Sequence, residues 1–471
     1  MGSTRPAWLS TLQQAITHSA AYRAASSRSL VVYGAVLVSS TEVAAQATST
    51  GYQATRCVRD TTSALPLAAS TATVDTIAPG IRYQCLYSKG GPWAIHAISI
   101  DLASRRYAVE GARAMDAMFG REKVSDMVQR FRVRGDTPVV AMNADFFSLR
   151  TGEVENNAVI ADAWVKGVRT SDSPHDGFDN AHTQFAMDDR GRPLIGRFEL
   201  AGEVRVGSRG MALRGINYRP PRDSGLVLYT QWFGARTPHD SALATPSRAP
   251  GRAPSQAEIR EDSMKAQSLA AARHAVEVAL VRVRGSDSDG WYRVQRGSLT
   301  NGGGSAIPRK GAVLSGTGPA ADFVRRAARS GAMIHVTARL GAQQVPPRTV
   351  VGGWPRLIVD GRNVAAAADS TEGTFPRFSA ERHPRSAIGI SRDSTTLVFV
   401  VVDGRRAWSV GMSLVELADQ LLALGAYQAM NLDGGGSSTL WVRGTIVNYP
   451  SDPAGERAVG NALIVVPRKS P

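Results

Sequence analysis

One stretch constrains this chain more than any other: Tyr427-Gln428-Ala429-Met430-Asn431-Leu432-Asp433-Gly434-Gly435-Gly436-Ser437-Ser438-Thr439. It reads as a β-strand running into a three-glycine turn. Side chains alternate faces along a strand, so Met430 and Leu432 anchor in a core while Asn431 and Asp433 face a cleft. Gly434, Gly435 and Gly436 permit positive φ and close backbone approach to a ligand. Ser437, Ser438 and Thr439 add hydroxyls, and successive N–H groups in such a turn can form a concave anion nest. The Gly-Lys-Ser/Thr that a nucleotide P-loop requires is absent, which removes that reading.

The elements before the turn agree with its placement. Residues 395–402 (TTLVFVVV) form a continuous β-branched, apolar run, read as a buried strand that ends at Asp403-Gly404-Arg405. Ser413 and Glu416 form a capping box. Leu414, Leu417, Ala418, Leu421 and Leu422 then follow helical spacing, and Gly425 stands where a helix C-cap takes glycine. Further strands are expected at 93–100, 106–109, 138–143, 158–160, 183–187, 275–283, 333–340, 440–443, 445–448 and 460–466, and helices at 123–131 and 320–329. Many strands and few helices predict an α/β (α+β) fold, a large, mainly antiparallel mixed sheet with packed helices in a single catalytic domain over 81–471. Residues 237–274, rich in Pro, Ala, Ser and charge, read as an inserted surface loop.

Arg23 and Arg28 precede the apolar stretch 30–38, and small residues follow up to Ala47, the pattern of an export signal with its cleavage site. Residues 1–47 are therefore read as a leader, 48–80 as a linker or N-terminal strap, and the protein as periplasmic, cell-surface or secreted. Cys57 and Cys85 fit export as one disulfide or stand as two buried thiols. No run reaches the roughly 18–20 apolar residues of a membrane-spanning helix, so no stable span is expected once the leader is removed. The net charge of +15 comes almost wholly from arginine. Arginine suits phosphate and carboxylate recognition; a coding bias toward Arg and Ala is the plainer explanation. No zinc-finger or RNA-binding signature accompanies the charge, which argues against nucleic acid.

An internal echo points to the chemistry. Ala141-Met142-Asn143-Ala144-Asp145 and Ala429-Met430-Asn431-Leu432-Asp433 share A-M-N-x-D at the end of an apolar strand. Converging, the two tips would bring paired carboxylates together, as glycosidic cleavage commonly requires; Asp and Asn also cap strand ends for purely structural reasons. Arg385 could fork onto a phosphate. His383 beside Pro384 is either an acid–base group or a packed loop residue. Asp403 is either a site carboxylate or a turn residue, Asn461 a pocket amide or a strand cap, and Arg457 a phosphate ligand or a surface charge. No zinc-ligand spacing exists and no cofactor is predicted; Asp433 with backbone carbonyls leaves a hard divalent cation open.

Three segments together, Asn431 to Thr439, Val447 to Asp452 and Glu456 to Leu463, resemble the C-terminal signature of the phosphodiester glycosidase family. Asn143-Ala144-Asp145-Phe146-Phe147, Pro384 to Gly389, Val402 to Arg405 and Gly411 to Leu414 extend the likeness over about 81–466. The resemblance implies that Asn143, Arg385, Asp403, Asn431, Asp433, Gly434, Gly435, Gly436, Ser437 and Asn461 line an active site, to which Ser438, Arg457 and Asp145 are added here. Asp145 departs from the family, which often has glycine there. The expected activity is hydrolysis of a sugar-1-phosphodiester on a phosphorylated glycan or cell-surface polysaccharide. The alternative is a non-catalytic carbohydrate-binding or polymer-assembly protein of the same fold.

Overall fold

The computed structural model describes residues 71–219, 224–239, 253–330, 332–341 and 347–469. The expected leader, residues 48–70 and Cys57 lie outside these; Cys85 is disulfide-bonded. Among the described residues no helix is long and apolar enough to cross a membrane.

The strand read at 395–402 is Thr396–Val402, buried from Leu397 onward. It lies at the centre of an eight-stranded antiparallel sheet in the order Thr71–Ala78, Ile81–Ser88, Trp93–Asp101, Thr396–Val402, Arg385–Ile390, Gln428–Leu432, Arg356–Val359, Arg362–Asn363. A second, five-stranded sheet runs Thr445–Ile446, Leu440–Val442, Val140–Asn143, Asn461–Pro467, Tyr107–Arg113. Apolar side chains from both sheets, among them Met142, Leu463, Ile388, Phe399, Met430 and Leu432, form one core. Helix Leu414–Ala423 packs Leu414, Leu417, Ala418 and Leu421 against the other face of the first sheet. Helix Val124–Val133 packs Val124, Met127, Val128 and Phe131 against the second. The resulting helix–sheet–sheet–helix stack holds the Val140–Asn143 and Gln428–Leu432 tips side by side.

The rest of the chain is more β-rich than the expected mixed sheet. A second eight-stranded sheet closes on itself: Asp289–Val294, Met333–Leu340, Leu200–Val206, Arg209–Ile216, Gly225–Thr230, Gly311–Thr317 and Val276–Gly285 form a ring, because Val276–Gly285 pairs back to Asp289–Val294. Its apolar interior also takes up Ala320, Phe323 and Val324 of helix Pro319–Ser330. Individual strand patterns were readable, as in the strict alternation of Met333–Leu340; ring closure depends on pairings between distant segments that no local pattern encodes. A five-stranded sheet (Ala163–Lys166, Ala158–Ile160, Pro347–Gly352, Thr183–Asp188, Pro193–Arg197) completes the fold.

Two boundaries also change. The strap supplies an edge strand from Thr71. The segment read as a surface loop at 237–274 contains an 18-residue helix, Gln256–Arg273, opened by a Ser255–Glu258 capping box. Its buried residues are only Ser268, Ala271 and Ala272, so it lacks the apolar stripe that betrays a helix in sequence; the Ser-x-x-Glu cap was the available signal.

Candidate active site

The two A-M-N-x-D tips converge. Asp433 N–H donates to Ala144 O at 2.8 Å, and Asn143 Nδ2 donates to Asp433 O at 2.6 Å. Asn143 Oδ1 accepts from Ser386 Oγ at 2.8 Å and from Thr439 N–H at 3.0 Å. Asn143 thus pins three segments together. Asn461 Oδ1 accepts from Asp145 N–H at 2.8 Å and so positions Asp145. Behind Asn461, buried Arg113 donates to Gly460 O, Met118 O and Gly152 O, a clamp that sequence alone did not reveal.

Asp145 is buried and accepts from Asn156 Nδ2 at 2.7 Å and from Asn156 N–H at 3.2 Å. Burial pushes its carboxyl up to about 6, against the pull of Asn156 and of the Lys166 and His182 charges. Asp433 is half-buried, and burial pushes its carboxyl up to about 7. Ser437 and Arg457 oppose that rise, and the charge of Asp145 adds to it. The two carboxylates therefore sense one another, as a shared site requires. Asn431, on the same strand face as Asp433, donates from Nδ2 to Trp354 O at 2.6 Å. Its buried Oδ1 has no hydrogen-bond partner among the described residues, nor have Ser438 Oγ and Thr439 Oγ1.

The glycine turn differs from an open nest. Gly435 N–H donates to Pro384 O, Ser437 N–H to Gly434 O and Ser438 N–H to Gly435 O, so most of its amides are consumed within the protein. What the turn offers instead is a floor for two guanidinium groups. A Cβ on Gly435 would lie 3.2 Å from Arg405 Nη2, and one on Gly436 would collide with the Arg457 guanidinium. Arg457 donates from Nε to Asp452 at 2.7 Å and from Nη1 to Ser437 Oγ at 3.5 Å. Arg405 is exposed and forms no ion pair with a described residue; its Nη1 reaches Ser451 Oγ at 3.5 Å.

Arg385 and Asp403 behave differently from expectation. Arg385 is buried; Nε donates to Met412 O at 2.8 Å, and Nη2 to Phe378 O at 2.7 Å and Glu381 O at 3.1 Å. Burial draws its pKa down to about 9. Its fork is engaged by main-chain carbonyls and is not presented whole to a phosphate. Asp403 is also buried. One oxygen meets His96 Nε2 at 3.1 Å; the other accepts from Tyr449 N–H at 2.8 Å and Asn448 Nδ2 at 3.4 Å, and His96 Nδ1 in turn meets Tyr83 OH at 2.8 Å. With both oxygens so held, Asp403 ties the strand tip to the loop after Leu440–Val442. His383 Nε2 lies 3.1 Å from Arg377 O, as a packed loop residue does.

Sequence reasoning also missed an aromatic wall. Trp354 stacks on His182 at 5.0 Å and on Phe378 at 5.0 Å, and Phe146 meets both Trp354 and Phe378 edge-on at 6.1 and 5.9 Å. Phe378 lies over the Arg385 guanidinium at 5.1 Å. Glu372 fixes the group: its carboxylate accepts from Thr183 and from Arg356 N–H, and its carbonyl from Trp354 Nε1. Trp354 main chain meanwhile brackets Asn431. These residues are scattered over about 230 positions of sequence and carry no shared motif. Among the described residues no group of three or more His, Cys, Asp or Glu side chains is arranged to hold a metal ion.

Parts of this chain are similar to known proteins. Residues 280–466 match the family model of the phosphodiester glycosidases. Within curated proteins, 84 residues are 43% identical to the SPbeta prophage-derived uncharacterized protein YomE of Bacillus subtilis (strain 168), covering 18% of this chain and 13% of that protein. Ninety residues are 41% identical to the N-acetylglucosamine-1-phosphodiester alpha-N-acetylglucosaminidase of Bos taurus, covering 19% of this chain and 17% of the bovine enzyme. The matched stretches thus span under a fifth of those relatives. A solved structure of a hypothetical protein from Synechocystis superposes with a TM-score of 0.61 at 21% identity over 85% of this chain and 64% of that one, a likeness of fold.

Proposed function

We propose that this protein is an exported hydrolase of sugar-1-phosphodiesters. It would release a sugar such as N-acetylglucosamine and leave a phosphomonoester on a glycan or cell-surface polymer. The observation that carries the reading is one arrangement: Asp433, raised to about 7 by burial, sensing Asp145 and Arg457, with Arg405 over the adjacent Gly435. The partial match to the phosphodiester glycosidases supports it.

A general base works best when its pKa lies near the operating pH. Ionised Asp433 takes a proton from water as the water oxygen bonds to C1 of the sugar. The C1–O bond to phosphorus breaks, and the electron pair leaves with the phosphate as a monoester. Arg457 and Arg405 hold the charge that builds on the departing phosphate, which is the part electrostatic stabilisation plays in such transfers. Phosphate is a good leaving group, so little proton donation is needed; Asp145, anchored by Asn156 and Asn461, acts mainly by keeping the Asp433 pKa high. Asn431, held by the Trp354 main chain, positions the strand tip that carries Asp433, and Phe146 and Phe378 form an aromatic wall beside it.

The test is hydrolysis of UDP-N-acetylglucosamine, a soluble sugar-1-phosphodiester, by wild type and Asp433→Asn, with and without chelator. Free sugar from wild type alone supports the reading, and chelator sensitivity would reveal a metal requirement. Release by a folded Asp433→Asn at the wild-type rate would overturn it. Unchanged sugar affinity in that variant, with no hydrolysis by either protein, would favour the binding-protein alternative.

A further inference from the structure

Phe146 and Phe147 are neighbours in sequence but serve different compartments. Phe146 packs edge-on against Trp354 and Phe378 beside the Asp433 site; Phe147 lines a cavity of about 290 Å³. That cavity lies between residues 147–155, Asp172–Pro174 and the helix Gln256–Arg273. The cavity adjoins the Asp433 site, because Glu155 lines it while the adjacent Asn156 holds Asp145. The volume is at the small end of ligand pockets, roughly 300–1,000 Å³, and suits a single ring.

Its lining mixes apolar surface with unspent polar atoms. Phe147, Leu149, Val154, Pro174 and Met264 supply the apolar part. Asp172 is 7% exposed; its Oδ2 is taken by Lys166 and Arg219, but its buried Oδ1 has no hydrogen-bond partner among the described residues. Arg150 binds Asp262 and Glu261 through its terminal nitrogens, while its buried Nε likewise has no described partner. Glu155, 7% exposed, is pushed well above its ordinary pKa by burial and by the Asp145 and Asp176 charges. One free acceptor, one free donor and an apolar wall, with the neighbouring charges already paired, match a neutral polyhydroxylated ring better than an ion. A charged ligand would meet counter-charges already engaged, at a desolvation cost.

We propose that this cavity is a second sugar-binding subsite, seating one neutral sugar unit next to the Asp433 cleft. Resting on the phosphodiester glycosidase reading, the subsite makes the natural substrate a phosphorylated oligosaccharide or polymer in place of an isolated sugar phosphodiester. The helix Gln256–Arg273 roofs the subsite through polar contacts, with Ser148 on Glu261 at 2.9 Å and Arg260 on Asp176 O at 3.1 Å.

Binding can be read without turnover. Saturation-transfer NMR with N-acetylglucosamine, glucose, galactose and mannose would be recorded on wild type, on Asp433→Asn, and on Ala257→Trp and Met264→Trp, which fill the cavity from its helical roof. Far-UV circular dichroism and thermal melts establish that each variant is folded, and the two roof positions stand in for one another if one is not. At least one sugar should bind wild type and Asp433→Asn equally and lose about tenfold or more in affinity in a folded roof variant. No binding of any of the four sugars to wild type, or undiminished binding to folded roof variants, overturns the subsite. Cavity-dependent binding in a protein that fails to hydrolyse UDP-N-acetylglucosamine would keep the subsite and retire the hydrolase reading, so the two failures are separable.

Discussion

Asp433 holds its proton to about pH 7, far above its ordinary 3.8, and that has two consequences with opposite signs for activity and stability. As a base it must be ionised, so kcat/KM should rise with pH through about 7 and level off above it, a limb that a pH–rate profile would register and that Asp145→Asn should move downward. For stability, the folded chain between about pH 4 and 7 keeps a proton that the unfolded chain has released. Stability from this group is therefore complete in acid and is lost as pH rises through about 7. Asp433→Asn removes a buried charge and should be more stable than wild type near pH 8 by on the order of 1 kcal/mol, with the difference vanishing near pH 4; urea melts at the two pH values measure it. The same variant should lose about a thousandfold or more in kcat. Arg405→Ala and Arg457→Ala should each lower kcat/KM by about tenfold or more with little change in folding, because a charge-assisted hydrogen bond contributes about 1.5–3 kcal/mol.

At the scale of elements, the glycine turn is held by geometry and not by sequence composition alone. Gly435 sits at φ +60°, so Gly435→Ala should cost about 1–2 kcal/mol through backbone strain, read as a lower urea midpoint. Gly436 has a different reason to lack a Cβ, since Arg457 occupies that space; Gly436→Ala should displace the guanidinium and raise KM. The helix Leu414–Ala423 shows local signals at full strength. Its Ser413–Glu416 capping box was readable and is formed, because a cap involves residues three apart. The helix Gln256–Arg273 carries the same cap but was hidden in a polar, proline-flanked segment, since it docks by charge and not by an apolar stripe.

Across the whole molecule, the aromatic wall shows how widely the site is assembled. Phe146, His182, Trp354, Glu372 and Phe378 come from separate segments. Trp354, 3% exposed, joins them and also brackets Asn431. Trp354→Ala should cost about 3–5 kcal/mol in stability, as other large-to-small aromatic changes in cores do, and should lower activity through Asn431; a thermal melt and a rate measured on the surviving folded fraction separate the two effects. The site's arginines and the overall net charge of +15 also predict that KM for an anionic substrate rises with salt as screening shortens their reach.

Sequence by itself determined the elements whose cause is local: the buried strand to Val402, the capped helix after Ser413, the alternation that sets Asn431 and Asp433 opposite Met430 and Leu432, and the strand-to-glycine turn. It also marked both A-M-N-x-D tips, which do meet. Tertiary structure decided the assignments that depend on what lies across a gap. Asp403 faces His96, Asn143 and Arg385 donate to main-chain carbonyls, Arg405 joins Arg457 over the turn, and seven strands close into a ring. Residue type and spacing along the chain specify which hydrogen-bonding groups a segment carries. Which of those groups remain free once the chain has folded is set by partners hundreds of residues away, and a site is made of the groups that remain.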